Sequence, residues 1–306
     1  MAQWTPLASG AADCYQRGVD SAAIEMIIDP RIRPVGGGTV RRVLPFRRRR
    51  MIGPFIYADI IGPEHVPAGT GMDVDAHPHI GLSTLTYLHQ GSLLHRDSTG
   101  AVQRIDPGEV NWMTAGSGAC HTERTPQADR AVEGDFAGLQ TWVALPDEVE
   151  LSAPFFEHAG SDDIPQEASA GASVRVLAGT GWGMLSPVKG SSPLLEADLT
   201  LDDAVLRIPT EHRERGVICM AGDLRVAGRD LQPGQVAVIA EDQQVELSGT
   251  GRAMMLAGDP VGDRFIWWNF VSSDRDIIEQ AKRDWDEQRF PLVPGDHDHW
   301  IPRPEA

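Results

Sequence analysis

The sequence predicts an all-β protein built of two similar barrels, with one helix near the C-terminus. Three observations support this prediction. Short alternating segments bounded by Gly, Pro or Asp run through most of the chain, as in "GPFIYADII", "LSTLTYLHQG" and "GQVAVIA", and such strands at close spacing are typical of sandwiches and barrels. One β-segment recurs in the second half of the chain. A single stretch close to the end has the periodicity of an amphipathic helix.

The recurring segment relates residues 104–116, "RIDPGEVNWMTAG", to residues 229–241, "RDLQPGQVAVIAE". Both copies contain an Arg, a Pro-Gly turn and a following β-run, which indicates two copies of one β-domain. Residues 145–173 are acidic and rich in Pro, Gly and Ser, as expected of a connection between domains. We therefore expect an N-terminal domain over residues 1–145 and a C-terminal domain over residues 146–306, the latter ending in the helix and a tail.

The helix is predicted in "SSDRDIIEQAKRDWDEQ", residues 272–288. Ser272 or Ser273 is the expected N-cap, and the acidic residues that follow complement the positive end of the helix dipole. The apolar residues of this stretch share one face of the helix; they are Ile277, Ile278, Ala281 and Trp285.

The formal net charge of −17 argues against a nucleic-acid-binding protein, because phosphate contacts need a basic face. One basic run, Arg47 to Arg50, is interpreted as a solvated turn between two apolar strands rather than as an anion or localisation site. The three cysteines are too widely separated for a disulfide framework; they are Cys14, Cys120 and Cys219.

The sequence also bears on whether any segment directs the protein to a membrane or to the secretory pathway. Residues 1–20 lack the basic start and long apolar core of a secretory signal. No run approaches the ~20 apolar residues of a membrane span. We therefore expect a cytoplasmic protein without membrane contact.

Two pairs of potential metal ligands lie on predicted strands. His77 and His79 are two residues apart, and so are His121 and Glu123 further along the chain. Residues two apart in a strand point to the same side, so each pair can enter the interior of a barrel. Each pair alone also fits ordinary structural histidines, but three imidazoles and one carboxylate together suit iron, manganese, copper, nickel or zinc. Pro78 donates no backbone hydrogen bond, which favours an edge, a bulge or the start of a strand.

Longer segments around these pairs resemble known motifs. "GMDVDAHPHIGLSTLTYLHQG" and "DPGEVNWMTAGSGACHTE" resemble the first and second motifs of the cupin barrels. More narrowly, these segments resemble the pirin family, as do "VRRVLPFRRRRMIGPFIYADIIGP" upstream and "LAGDPVGDRFIWWNFVSSDRDIIEQA" downstream. The resemblance is strongest over residues 40–126.

The resemblance implies a bicupin, with two cupin (double-stranded β-helix) barrels packed together. It implies one transition metal ion in the N-terminal barrel, typically iron, bound by His77, His79, His121 and Glu123. The C-terminal barrel of the family usually carries no metal, and the second copy of the repeat has no His or Cys where the first has His121.

This chain departs from the cupin pattern at one point. Many relatives have a Glu four or five residues after the His-x-His, where Ser83 and Thr84 stand here. Glu123 is therefore the expected catalytic residue, acting as both ligand and base.

Other candidates are expected to lie outside the site. His297 and His299, in "GDHDHW", fall in a Pro- and Gly-rich tail with no strand to hold them. His89 and His95 flank a predicted hairpin and should face solvent. Cys120 should point away from its neighbour His121, as a small buried hydrophobe.

Two functions follow from the resemblance. The first is an iron-dependent dioxygenase that opens the ring of a flavonol such as quercetin with O₂. The second is a non-catalytic metal- or redox-sensing regulator that binds a protein partner, which an acidic surface would suit. We expect a monomer in either case.

Overall fold

The computed structural model describes residues 22–35 and 38–304, and the predictions about Cys14 and residues 1–20 fall outside them. The all-β prediction is confirmed. The first strands are β1 Ile24–Ile28, β2 Arg31–Val35, β3 Gly38–Leu44, β4 Phe55–Val66, β5 Asp73–His79, β6 Leu82–Gln90, β7 Leu93–Asp97, β8 Val102–Ile105, β9 Val110–Thr114, β10 Ala119–Arg124, β11 Gly134–Ala144 and β12 Phe155–Ala159. Those that follow are β13 Gln166–Ser169, β14 Ala172–Gly181, β15 Met184–Leu185, β16 Leu194–Arg207, β17 Glu214–Val226, β18 Arg229–Leu231, β19 Val236–Ile239, β20 Glu246–Gly258, β21 Phe265–Trp267 and β22 Phe270–Ser272.

One α-helix, α1, spans Arg275–Asp286, and three single-turn 3₁₀ helices span Asp129–Ala131, Asp147–Val149 and Ser161–Asp163. The N-cap of α1 is Asp274, whose side chain accepts a 2.8 Å hydrogen bond from the backbone N–H of Asp276. The predicted caps Ser272 and Ser273 are thus wrong by one or two residues, because the strand β22 extends to Ser272. The predicted apolar face is confirmed, since Ile278 and Ala281 are buried.

The chain divides into two compact units. Among the described residues, one comprises residues 22–30 together with residues 162–260, and the other comprises residues 31–35, 38–161 and 261–304. A domain boundary after residue 145 stays a prediction. β1 pairs with β19, which places β1 in the sheet of the C-terminal barrel, while α1 packs in the unit of the N-terminal barrel.

The unit of the C-terminal barrel is a nine-stranded sheet. Its main path is β1-β19-β17-β20-β16-β14-β13, with β15 paired to β14 and β18 paired to β17. Alternate residues of the long strands β16, β17 and β20 face a common apolar core. Val176, Leu199, Cys219 and Met255 lie in it, and each is 0% exposed.

The unit of the N-terminal barrel contains a seven-stranded sheet, β12-β9-β6-β11-β4-β3-β2, and a four-stranded sheet, β5-β10-β7-β8. The hairpin β21-β22 and the helix α1 complete it, and Phe270 and Ile278 share an apolar cluster with Ala76 and Cys120 of the four-stranded sheet. Arg47 and Arg48 lie exposed in the turn between β3 and β4, as predicted.

Gly81 fixes the connection between β5 and β6. Its φ of +69° is in the left-handed region, and a Cβ at this position would lie 1.9 Å from the carbonyl oxygen of Val271. Only glycine is compatible with both the dihedral angle and this close approach. The turn places His79 at the end of one strand, directly before the strand of the other sheet.

Among the described residues, no helix is both long and apolar enough to cross a membrane.

Candidate metal centre

The predicted ligand pairs lie on adjacent strands. β5 and β10 are antiparallel, and His77 is directly opposite His121 in their register. A bulge follows between His121 and Glu123. β5 is an edge strand of its sheet, which confirms one of the settings that Pro78 predicted. His79, two residues after His77, joins the same side of the sheet.

The three histidines converge on one point. One ring nitrogen of each lies within 4.8 Å of those of the other two, and this is a group that can hold a metal ion. The Nε2 atoms of His79 and His121 are 3.2 Å apart. Two nitrogens bound to one ion at about 2.1 Å are separated by about 3.0 to 3.4 Å in octahedral or tetrahedral arrangements. The observed separation therefore fits a shared transition metal ion.

The protonation state of the three histidine rings also favours metal binding. Burial lowers the pKa of His77 to about 4, and burial with the neighbouring His77 lowers the pKa of both His79 and His121 well below the ordinary value. The rings are thus neutral near pH 7 and keep a lone pair for a ligand bond. The Nδ1 of His77 lies 2.8 Å from the carbonyl oxygen of Asp75, which can only accept, so Nδ1 carries the proton and Nε2 is free for the ion.

Glu123 lines the same cavity as the three histidines, but it is not a member of the cluster that their nitrogens form. It is half-buried, and burial raises the pKa of its carboxyl group above the ordinary value. Its role as fourth ligand and base remains a prediction.

The cavity beside the histidines has a volume of about 490 Å³, within the range of small-molecule sites. Much of its wall is apolar, with Val40, Ile61, Met72, Val74, Leu93, Phe136, Trp142, Trp268 and Ile301 among the lining residues. Trp142 stacks on Tyr57 with ring centroids 3.8 Å apart and meets the ring of His79 edge-on at 5.0 Å. A flat aromatic wall thus adjoins the histidines.

A charged group occupies another part of the wall, and no motif predicted it. Arg42 forms a two-pronged ion pair with the buried Asp59, with N–O distances of 2.8 and 2.9 Å. The hydroxyl of Tyr57 donates to Asp59 at 2.6 Å, and burial together with Asp59 raises the pKa of Tyr57 well above its ordinary value. The phenol therefore stays protonated, and the three side chains form one rigid polar patch.

Gln140 supplies a further polar group to the cavity. Its Oε1 accepts a 2.8 Å hydrogen bond from the hydroxyl of Thr86, which orients the amide. Its Nε2 is buried and has no hydrogen-bond partner within the part of the chain that the structure describes. A buried donor without a partner costs free energy, so a bound ligand that accepts from Gln140 would remove that cost.

Ser83 and Thr84, the positions at which this chain departs from the cupin pattern, are both buried and do not line the cavity. The hydroxyl of Ser83 is 2.8 Å from that of Thr114, which also accepts from the indole N–H of Trp112.

The prediction for His95 is wrong, and the prediction for Cys120 is confirmed. His95 is buried in β7 and does not face solvent, because β7 lies between β10 and β8 in the four-stranded sheet. Cys120 is confirmed as a buried hydrophobe, packed in the apolar cluster of α1, and burial raises its pKa to about 12.

The C-terminal tail is better anchored than the sequence predicted. Asp296 forms an ion pair with Arg124 of β10, and Trp300 makes a parallel bridge with Ala76 of β5. The ring of His297 hydrogen-bonds through Nδ1 to the carbonyl of Val293, and neither His297 nor His299 belongs to the three-histidine cluster.

Comparison with known proteins decides the family. The pirin family profile matches residues 37–143, and the profile of the pirin C-terminal cupin domain matches residues 196–291. A pirin-like protein of Caulobacter vibrioides is 45% identical over 288 residues, which cover 92% of this chain and all of that protein. The chain belongs to the pirin family.

Solved structures agree with this assignment. A quercetin 2,3-dioxygenase from Acinetobacter baumannii is 34% identical and aligns with a TM-score of 0.85, over 92% of this chain and 95% of that one. A second structure of that name from the same organism is 25% identical, with a TM-score of 0.82 over 90% and 98% of the two chains. The chain therefore contains two cupin domains, as predicted. Together with the three buried histidines, this makes it a metal-binding cupin protein.

Proposed function

We propose that this pirin is a metal-dependent dioxygenase that opens the ring of a flavonol of the quercetin type. The observation that supports this most is the convergence of three neutral, buried histidines on the wall of a cavity large enough for such a molecule. The names of the similar Acinetobacter proteins point to the same activity. His77, His79, His121 and Glu123 would hold one transition metal ion, for which iron is the first candidate.

When bound, the ion would supply a Lewis acid that lowers the pKa of a hydroxyl group on the substrate. Glu123 would take the proton of that hydroxyl. Its pKa, raised by burial, makes it a stronger base than an exposed carboxylate. Because Ser83 and Thr84 do not line the cavity, Glu123 would perform this role without help from either position.

The remaining wall would bind and orient the rings. The stacked pair of Tyr57 and Trp142 offers a flat apolar face, on which a planar aromatic ligand can pack. The free amide N–H of Gln140 would donate to an oxygen of the substrate, and the apolar residues would exclude water.

The test combines metal analysis with turnover. Protein loaded anaerobically with Fe(II) should contain one ion per chain, and after exposure to air it should consume quercetin and O₂ in equal amounts. Glu123→Gln keeps the size and an oxygen ligand but removes the base, so it should retain part of the metal and lose turnover by about 10²- to 10⁴-fold. His158→Asn is a matched control, because His158 is a partly buried histidine that contacts Asn111 and does not line the cavity.

The alternative, a non-catalytic metal- or redox-sensing regulator that binds a protein partner, retains the support of the net charge of −17. If metal-loaded wild type takes up no oxygen with any flavonol, this alternative takes first place. If Glu123→Gln turns over quercetin as fast as the wild type, the base assignment is wrong.

A further inference from the structure

The buried residues His95 and Asp97 form a hydrogen-bonded line with His121, on the side of its ring opposite to the other histidines. The Nδ1 of His121 lies 3.3 Å from the Nδ1 of His95, and the Nε2 of His95 lies 3.0 Å from a carboxylate oxygen of Asp97. Asp97 is 0% exposed and His95 is 4% exposed. Neither residue lines the cavity, so neither is placed to touch a substrate.

The partners of this line set where its protons are when the ring of His95 is neutral. The carboxylate of Asp97 can only accept, so the Nε2 of His95 must carry a proton. In the neutral ring, the Nδ1 of His95 is then an acceptor, and the Nδ1 of His121 must donate to it. The Nε2 of His121, which faces His79, is left with a free lone pair. This is the tautomer that a metal ligand needs.

The orientations of Asp97 and of the His95 ring are held by their other contacts. One oxygen of Asp97 accepts from the backbone N–H and hydroxyl of Thr99, at 2.8 and 2.6 Å, and from the backbone N–H of Ala101 at 3.2 Å. The other oxygen is therefore directed at His95. Phe156 stacks on the ring of His95, with centroids 4.7 Å apart and planes inclined by 23°. Neither ring nor carboxylate can turn without losing these contacts.

We propose that His95 and Asp97 are positioning residues that hold His121 in the Nδ1–H tautomer and in the orientation required for metal binding. This inference rests on the proposed function only in taking His121 as a ligand. Groups that hydrogen-bond to metal-binding histidines commonly contribute about 10- to 100-fold to metal affinity.

Asp97→Asn should reverse the direction of the hydrogen bonds along this line, because the Asn side chain has nearly the same size and shape as that of Asp. The three donors from Thr99 and Ala101 force the amide oxygen of the new side chain toward them, so its NH₂ group faces His95. The Nε2 of His95 must then accept and its Nδ1 must donate. As a result, the proton of His121 moves to Nε2, the atom that should bind the metal.

The first measurement is ¹⁵N NMR of the histidine rings in metal-free protein, which distinguishes the two neutral tautomers. Wild type should show His121 protonated at Nδ1 and His95 at Nε2, and Asp97→Asn should show both reversed. The inference is overturned if wild-type His121 carries its proton on Nε2, or if Asp97→Asn leaves both tautomers unchanged. This result does not depend on whether the protein is an enzyme.

The second measurement is the affinity for Co(II), by competition with a chelator and by the visible spectrum of the bound ion. Asp97→Asn should bind about 10- to 100-fold more weakly and alter the spectrum. Asp106→Asn is the matched control, since Asp106 accepts hydrogen bonds from Ser92 and Arg104 in the same unit, and neither bond involves a histidine. Equal affinity of wild type and Asp97→Asn would overturn the inference, whereas a wild type that binds no metal would instead overturn the proposed metal site.

A second pair of variants keeps the test valid if Asp97→Asn fails to fold. His95→Gln retains an acceptor for His121 and a donor for Asp97, so it should keep most of the metal affinity. His95→Leu retains neither and should lose affinity to the same extent as Asp97→Asn. Equal metal affinities of the Gln and Leu variants would overturn the inference, because the hydrogen bonds made by residue 95 would then have no effect on metal binding.

Discussion

The two barrels are built from similar strands but fill their interiors differently. In the N-terminal unit the chain after β9 continues into β10, which carries His121 and borders a cavity of about 490 Å³. In the C-terminal unit the chain after the corresponding β19 continues to Val245 and Leu247, which are 3% and 0% exposed in an apolar core. Within the described residues of that unit, no trio of potential ligands converges. One copy of the fold thus uses its interior for packing, and the other keeps polar groups and space there.

The largest expected effect concerns metal binding. A His77→Ala/His121→Ala double variant should lose the metal entirely, because it removes two of the three converging ligands. Elemental analysis of the purified protein measures this directly. Stoichiometric metal in the double variant, or two ions per chain in the wild type, would contradict the assignment of a single site to the N-terminal barrel.

In the C-terminal barrel, a substitution in the core should lower stability and leave metal binding unchanged. Met255→Ala removes a side chain that is 0% exposed, so it should lower the free energy of unfolding by about 2 to 5 kcal/mol. Metal content per folded chain should not change. Leu185, which is 57% exposed, provides the control, since its replacement by Ala should alter stability by no more than about 0.5 kcal/mol. Loss of metal in folded Met255→Ala would show that the functions of the two barrels are not separable.

Acid should destabilise the metal-free protein through the histidines. The pKa of His77 is about 4 in the folded protein against about 6.5 in an unfolded chain. The unfolded chain therefore binds a proton first, and stability falls as the pH is lowered from about 6.5 to about 4. His77 alone would account for roughly 3 kcal/mol over this window.

Chemical denaturation at a series of pH values measures the effect. His77→Asn should flatten the profile, whereas His65→Asn should not, because the side chain of His65 is 59% exposed. A wild-type profile that is flat between pH 6.5 and 4 would show that the histidines are not desolvated.

The smallest expected effect is on substrate binding. Gln140→Met removes the unpartnered amide donor while keeping a similar volume, and one neutral hydrogen bond corresponds to about 3- to 10-fold in affinity. We expect KM for quercetin to rise by that factor with little change in kcat. Gln103→Met is the control, since Gln103 donates to the carbonyl of Arg104 outside the cavity. An unchanged KM would mean that Gln140 does not contact the substrate.

The sequence predicted the parts of the site that depend on local spacing. Residues two apart in a strand share a face, which was enough to pair His77 with His79 and His121 with Glu123. The family motif supported placing the two pairs in one site. The sequence did not predict that Gln140 and the group of Arg42, Tyr57 and Asp59 belong to the cavity wall. These residues come from β3, β4 and β11 and meet only through sheet pairing.

His95 was misjudged for a related reason. Its position after a Gly-containing turn suggested an exposed hairpin, but the pairing of β7 with both β8 and β10 places it inside. The pairing of β1 with β19 was not predicted either, because strand pairing across distant parts of the chain cannot be seen in local composition.

The proposed binding of a single metal ion at His77, His79 and His121 in the N-terminal barrel can be examined in crystals. Crystals of the metal-loaded protein would be used, with anomalous diffraction recorded at the absorption edge of that metal. We expect one anomalous peak per chain, within about 2.0 to 2.3 Å of a nitrogen of each of the three histidines, with an oxygen of Glu123 as a further ligand. A peak in the C-terminal barrel, or no peak between the three histidines, would contradict it.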